Sequence, residues 1–101
     1  MKARARARGP MRLLLYVAGD SPNSIVARTN LENAIAHLSK DEVVLDVIDV
    51  LSNPERGLTD GVLVTPTLVK ASPSPERRIV GNLRDRSVLF MVLGMSDPNV
   101  A

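Results

Sequence analysis

The chain has 101 residues, of which 45% are apolar and 24% charged, and it contains no cysteine. These proportions suit one globular domain and argue against disorder as the main state. The absence of thiols excludes disulfide exchange, iron–sulfur clusters and cysteine-ligated zinc. The net charge of +2 is unevenly placed, because residues 1–12 carry five bases and no acid. We predict a basic flexible tail at 1–10, one domain at 11–95 and a short C-terminal tail at 96–101.

The aromatic content is also informative, since Tyr16 and Phe90 are the only aromatic residues. Single-stranded nucleic acids usually bind to aromatic platforms, so the composition argues against nucleic-acid binding despite the basic tail. The apolar run at residues 13–18 is too short for a signal peptide, and Asp20 follows it directly. No segment approaches the roughly 20 apolar residues that a membrane span needs. We therefore expect a cytoplasmic protein without a membrane partner.

The first half of the chain predicts a strand, a helix and a second strand. Residues 11–18 form a nearly unbroken apolar run, and residues 43–50 are rich in β-branched side chains. Between them, Ser21 is a favourable N-cap and Pro22 suits the first helical position. The predicted helix has Ile25, Leu31, Ala34 and Leu38 on one apolar stripe and ends at 39–41. Such a βαβ unit has parallel strands and a right-handed crossover.

The second half predicts four shorter elements separated by proline and glycine. These are a helix from Pro54, a strand at 62–70, an antiparallel strand at 77–81 and a helix at 84–93. Proline lacks the N–H that a sheet ladder needs, so Pro66 is expected at a strand start or at a sheet edge. The element order βαβ-α-ββα is typical of a thioredoxin-like α/β domain, which is our prediction for the fold.

The polar residues predict no catalytic, cofactor or metal site. A thioredoxin-like redox motif would lie at residues 21–24, where Ser21 and Ser24 offer hydroxyls that cannot form a disulfide. The lone His37 lacks an obvious acid–base partner. Asp46 and Asp49 are three positions apart in a strand and therefore point to opposite faces. We expect the Asp49 side chain to cap backbone groups near the end of the strand or to pair with a basic side chain. We expect no enzymatic activity.

If the protein acts by binding a partner, the sequence offers one compact candidate site. This site is the basic pair Arg77 and Arg78 in the short strand after a proline-containing loop. Arginine is well suited to bidentate pairing with carboxylates on a partner. Charged residues also protect edge strands from aggregation, and this interpretation accounts for the pair equally well.

Four segments in the same order and near the same spacing resemble the KaiB family of circadian clock proteins. They are Leu15-Tyr16-Val17-Ala18-Gly19 with Ser21-Pro22-Asn23-Ser24, Val47-Ile48-Asp49-Val50-Leu51 with Asn53-Pro54, Thr65-Pro66-Thr67-Leu68, and Arg77-Arg78-Ile79 with Gly81. The resemblance covers roughly residues 12 to 90. It implies a non-catalytic protein that binds the N-terminal ATPase ring of KaiC, with KaiA or a sensor histidine kinase as further possible partners.

The resemblance also implies a metamorphic protein. Its oligomeric ground state, a dimer or tetramer, has a fold of its own, whereas the KaiC-bound monomer is thioredoxin-like, and the second half changes structure. The positions expected to govern this exchange are Pro66, Pro73, Pro75, Gly81, Met91 and Leu93. Slow isomerisation at the prolines could gate the exchange, and Met91 and Leu93 replace residues that weaken the last helix in the family. The alternatives are an adaptor for a sensor histidine kinase or a stress pathway, and a nucleic-acid-binding protein that uses the arginine-rich tail.

Overall fold

A computed structural model describes residues 9–97, which contain four strands and three helices. The elements are β1 (Met11–Val17), α1 (Pro22–Ile35), β2 (Val43–Asp49), α2 (Pro54–Thr59), β3 (Thr67–Ser72), β4 (Arg77–Val80) and α3 (Arg86–Leu93). This is the predicted order, and the thioredoxin-like fold is confirmed. The predicted basic tail lies outside the described residues except for Gly9 and Pro10.

The four strands form one mixed sheet in the order β2-β1-β3-β4. The βαβ unit makes β1 and β2 parallel, with Leu13 opposite Leu45 and Tyr16 opposite Ile48. Strand β3 runs antiparallel to β1, and β4 runs antiparallel to β3. Strand β4 is therefore an edge strand, as predicted for the segment that carries Arg77.

The main core lies on the sheet face that packs against α1 and α3. Odd-numbered residues of β1 point to this face and meet buried residues of the two helices. The buried members are Leu13, Leu15, Val17, Ala27, Leu31, Ala34, Leu68, Leu83, Leu89, Phe90 and Leu93. Dense apolar burial of this kind supplies most of the free energy that holds the sheet and helices together.

A smaller core lies on the opposite face, beside α2. Tyr16, Ile48 and Val69 are buried there, and Val50 and Val62 pack against them. A methyl group on Gly57 would lie 3.3 Å from a Val50 methyl carbon, so the glycine lets α2 approach the sheet closely. The close approach of Gly57 to Val50 thus places the short helix against this smaller core.

Three predicted details of the elements are wrong. Strand β3 begins at Thr67, not at residue 62, because residues 62–66 form a loop that brings the chain back to the sheet. Helix α1 ends at Ile35, where three-residue turns replace the helical pattern, as in the 3.0 Å bond from Leu38 N to the Ile35 carbonyl. Its buried stripe begins with Ser24 and Ala27, whereas Ile25 is half exposed.

The predicted position of Pro66 at a strand start and the predicted end of the last helix are confirmed. Pro66 is buried directly before β3, and its carbonyl accepts the Gly81 N–H at 2.9 Å. The peptide bonds before Pro66, Pro73 and Pro75 are cis. Helix α3 ends at Gly94, whose φ of 70° closes the helix in the left-handed region that glycine adopts readily. Among the described helices, none has the length and apolar character to cross a bilayer.

Candidate partner-binding surface

The place of a thioredoxin redox motif is occupied by a pair of linked serines. The Ser21 and Ser24 hydroxyl oxygens lie 2.8 Å apart, and the buried Ser24 hydroxyl accepts the Ala18 N–H at 3.0 Å. Ser21 occupies the predicted N-cap position of α1 and Pro22 follows it, but the Ser21 side chain makes no capping hydrogen bond. The backbone carbonyl of Ser21 accepts the Ile25 N–H instead. Both hydroxyls therefore serve to join the end of β1 to the start of α1.

Asp49 organises the neighbouring loops at the end of β2. Its Oδ1 atom accepts the N–H groups of Gly19 and Leu51, each at 2.9 Å. These backbone hydrogen bonds favour the carboxylate, so they hold the pKa of Asp49 below its usual value. The expected capping role is confirmed, and the carboxylate joins the loop after β1 to the loop after β2.

Among the large apolar residues that the structure describes, the two most exposed, Leu63 and Leu58, lie beside and on α2, and Val64 follows Leu63. Leu58 is 79% exposed, Leu63 90% and Val64 53%. We call these three residues the apolar surface. A groove of about 330 Å³ runs between α2 and the 62–65 loop and is lined by Val50, Gly57 and Val62 among others. Clustered exposed apolar side chains commonly mark a site of protein interaction.

The loop that carries Leu63 and Val64 is fixed at both ends. At its start, the Val62 N–H donates to the Gly57 carbonyl at 2.8 Å. At its end, the Thr67 hydroxyl donates to the Val64 carbonyl at 2.6 Å. The exposed side chains are therefore presented by an anchored backbone.

The two arginines of β4 lie on opposite faces of the sheet. Arg77 pairs with Lys70 and Arg78 with Val69, so Arg77 points to the α1 and α3 face and Arg78 to the α2 face. Both residues are exposed. Arg78 donates to the carbonyls of Asp60 and Gly61 and forms an ion pair with Glu76, whereas Arg77 has no ion pair among residues 9–97. They do not form one continuous basic patch.

The expected fold-exchange positions in the second half are dispersed. Gly81, with φ of 115°, follows β4, and Leu83 is buried with φ of 63°. In helix α3, Met91 is 72% exposed, whereas Leu93 is buried in the main core. Sequence periodicity did not reveal that Leu83 is a core residue. A leucine whose backbone is in the left-handed region lies outside regular helices and strands, so it is part of no apolar periodicity.

His37, considered above as an acid–base candidate, is exposed in the turn after α1. Within the part of the chain that the structure describes, no three histidine or acidic residues are grouped to hold a metal ion. The apolar surface was also missed from the sequence, since its residues were assigned to a regular strand or left without comment. A loop that exposes two consecutive apolar residues can be distinguished from a buried strand only by its tertiary contacts.

Together, the fold and the serine pair define a thioredoxin-like domain without the cysteines of a redox centre. The sequence model of the KaiB domain matches residues 14–95. The circadian clock oscillator protein KaiB of Synechococcus elongatus is 45% identical over 83 residues, which cover 82% of this chain and 81% of that protein. That of Microcystis aeruginosa is 43% identical, with 82% and 80% covered. The chain belongs to the KaiB family.

Solved structures agree with the thioredoxin-like fold. The N-terminal domain of Synechococcus elongatus SasA is 27% identical with a TM-score of 0.67, and the match covers 87% of each chain. Mitochondrial thioredoxin 3 of Saccharomyces cerevisiae is 14% identical with a TM-score of 0.69, covering 91% of this chain and 85% of the thioredoxin. The second match shows the fold alone.

Proposed function

We propose that this protein binds the N-terminal ATPase ring of a KaiC protein and modulates the KaiC phosphorylation cycle in the cytoplasm, without catalysis of its own. The observation that carries the proposal is the 45% identity to a KaiB clock protein over most of both chains. The serine pair at the redox position supports a binding role, since two linked hydroxyls lack the reactivity of a thiolate.

The apolar surface is the proposed site of KaiC docking. Leu58, Leu63 and Val64 are exposed apolar residues, and their backbone is anchored in the thioredoxin-like fold. Preorganised apolar side chains bind with a smaller loss of conformational entropy than mobile ones.

Leu58→Glu tests this surface, with Ile25→Glu as its control. Both residues are exposed in helices, at 79% and 51%, but Ile25 belongs to α1, on the opposite side of the sheet and in the half of the chain that both folds share. We expect Leu58→Glu to weaken binding to the isolated KaiC ATPase ring at least tenfold, because it places a charge in an apolar contact. Ile25→Glu should bind like the wild type. Equal affinities for both variants would exclude the apolar surface as the docking site.

Arg77 and Arg78 are proposed to contribute to the same association from the edge of the sheet. Loss of a charged pair at an interface commonly costs about 2–5 kcal/mol, so Arg77→Glu with Arg78→Glu should weaken KaiC binding strongly. The circular dichroism spectrum of the double variant should remain that of the wild type. If the double variant bound KaiC as tightly as the wild type, the pair would not contribute to binding, and its role would be to protect the edge strand.

An adaptor role for a sensor histidine kinase or a stress pathway is the alternative, with KaiA as a further possible partner. Nucleic-acid binding through the arginine-rich tail is the least favoured role. Purified KaiC, histidine kinase and single-stranded nucleic acid can be compared in one binding assay at the same salt concentration. Exclusive binding of the kinase or the nucleic acid would replace the KaiC proposal.

A further inference from the structure

The turn at Asp60 and Gly61 determines where the 62–65 loop leaves α2. The Asp60 N–H donates to the Arg56 carbonyl at 3.0 Å, and the Gly61 N–H donates to the Leu58 carbonyl at 3.2 Å. Gly61 has φ of 70°, a left-handed conformation in which the chain reverses direction toward Val62. The carbonyls of Asp60 and Gly61 are left to bond with groups outside the turn.

Arg78 supplies those groups from the edge strand. Its Nη2 atom donates to the Asp60 carbonyl at 2.6 Å, and its Nη1 atom donates to the Gly61 carbonyl at 3.3 Å. Its Nε atom lies 3.1 Å from a carboxylate oxygen of Glu76, which orients the guanidinium. All three guanidinium nitrogens of Arg78, Nε, Nη1 and Nη2, thus donate hydrogen bonds within the chain.

A second anchor reaches the same turn from the buried side. The Tyr16 hydroxyl donates to the carboxylate of Asp60, so that Asp60 is held through its side chain by β1 and through its carbonyl by β4. The two anchors join the turn to the centre and to the edge of the sheet. The backbone before Leu63 and Val64 is therefore fixed by contacts from distant parts of the sequence.

We infer that Arg78 is a positioning residue: its guanidinium holds the Asp60–Gly61 turn and thereby orders the loop that presents Leu63 and Val64 to a partner. The docking part of this inference rests on the proposed KaiC binding. Arg77 points to the other sheet face, and a turn carbonyl is not among its described contacts. The two adjacent arginines consequently have different roles, Arg78 within the chain and Arg77 at the surface.

Substitution by lysine separates positioning from direct charge contact with a partner. Arg78→Lys keeps the positive charge but loses the planar fork that reaches two carbonyls at once. If Arg78 instead contacted a charge on the partner, Arg78→Lys would keep most of that contact. Arg78→Gln would remove the contact and alter the salt dependence of binding. A positioning role predicts that Arg78→Lys and Arg78→Gln both loosen the turn, with the salt dependence unchanged.

The experiment measures amide hydrogen exchange in the thioredoxin-like form of the free protein, whose NMR signals are resolved from those of the ground state, and affinity for the KaiC ATPase ring at several salt concentrations. The reporting amides are those of Asp60, Gly61 and Val62, whose N–H groups are bonded within the turn. In both Arg78 variants we expect about tenfold faster exchange at these amides and unchanged exchange in β1. Arg77→Gln, the control, should leave the turn amides unchanged.

Binding to the ring should weaken about threefold to tenfold in both Arg78 variants, in proportion to the smaller population of ordered loop. Unchanged exchange at residues 60–62 in both variants overturns the inference. Faster exchange with wild-type affinity overturns the link from the turn to docking. Failure of the wild-type protein to bind the ring overturns the proposed function, while exchange in the thioredoxin-like form still decides whether Arg78 holds the turn.

Discussion

The hydroxyl of Tyr16 in β1 donates a hydrogen bond to the carboxylate of Asp60, the residue that closes α2. Tyr16 is fully buried, and burial, followed by the contact with Asp60, raises its pKa to about 12. Both causes disfavour the phenolate, since it would be poorly solvated and would lie beside a carboxylate. The contact makes the smaller core dependent on a protonated tyrosine.

Alkaline titration tests this dependence directly, because Tyr16 is the only tyrosine and the chain has no tryptophan. The phenolate absorbance should rise near pH 12 in the folded protein and near pH 10 in denaturant. Since the folded pKa is the higher, stabilisation by the neutral phenol is complete below about pH 10 and is lost as pH rises toward 12. A folded-state midpoint near 10 would contradict the buried contact.

The Tyr16–Asp60 contact also illustrates what the sequence can and cannot predict. Local patterns identified β1, α1 and β2, because apolar runs and Ser-Pro capping signals depend on neighbouring residues. The contact joins residues 44 positions apart, and no periodicity encodes it. The same limit explains why the sequence predicts a strand from residue 62. The apolar composition of residues 62–66 favours a strand, but in the folded chain Tyr16 and Arg78 fix the preceding turn and the segment forms a loop.

The candidate site was predicted only in part. The pair Arg77 and Arg78 was correctly placed on an edge strand, because the Arg-Arg-Ile-Val segment follows a proline loop. Their opposite orientations follow from strand alternation, but the reach of Arg78 to Gly61 depends on how α2 packs. Exposure of Leu58 and Leu63 likewise depends on tertiary structure, since helix and loop residues of this type are more often buried.

Asp49→Asn should destabilise the domain near neutral pH. The substitution replaces a charged acceptor of the Gly19 and Leu51 N–H groups with a weaker neutral one. Because the folded pKa of Asp49 is lowered, the carboxylate contributes stability above its ordinary value of 3.8, and this contribution is lost as pH falls through the folded pKa.

The measurement for Asp49 is the thermal midpoint of the wild type and of Asp49→Asn between neutral and acid pH. The difference between the two proteins should be largest near neutral pH and should shrink in acid. Asp46→Asn is the control, because Asp46 is exposed on the same strand and makes only a 3.9 Å ion pair with Arg56. A pH-independent difference for Asp49→Asn would show that packing, not charge, is responsible.

The serine pair predicts inertness toward disulfide substrates. In an insulin-reduction assay with a dithiol, the protein should give the rate of buffer, since Ser21 and Ser24 cannot form the mixed disulfide that exchange requires. A thioredoxin provides the positive control under the same conditions. Clear acceleration by this protein would refute our interpretation of residues 21–24.

Removal of residues 1–9 should leave folding and KaiC binding intact. Apart from Met1, the apolar side chains of the segment are three alanines, which offer little surface to bury in a domain or on a partner. Thermal unfolding and affinity for the KaiC ring measure the two properties, with a variant that replaces the arginines of the segment by glutamine as a charge control. Loss of binding in both proteins would make the basic segment part of the binding site.

The metamorphic behaviour implied by the family is testable at Met91. This residue is 72% exposed in α3, so Met91→Gly removes little packing and acts mainly through helix propensity, by about 1 kcal/mol. We expect two folds within a few kcal/mol that share the first half of the chain, with the free protein mainly in an oligomeric ground state. Weakening α3 should shift the free protein further from the thioredoxin-like fold, and addition of KaiC should restore it.

Thr29→Gly in α1 is the matched control, because Thr29 is also an exposed helical residue but lies in the half that both folds share. It should lower stability without changing the ratio of the two folds. NMR secondary shifts of residues 62–95 report this ratio for dilute free protein and for protein saturated with KaiC. If wild type and Met91→Gly both show one set of shifts that is the same with and without KaiC, the chain has a single fold, and its binding surface is the one present in the free domain.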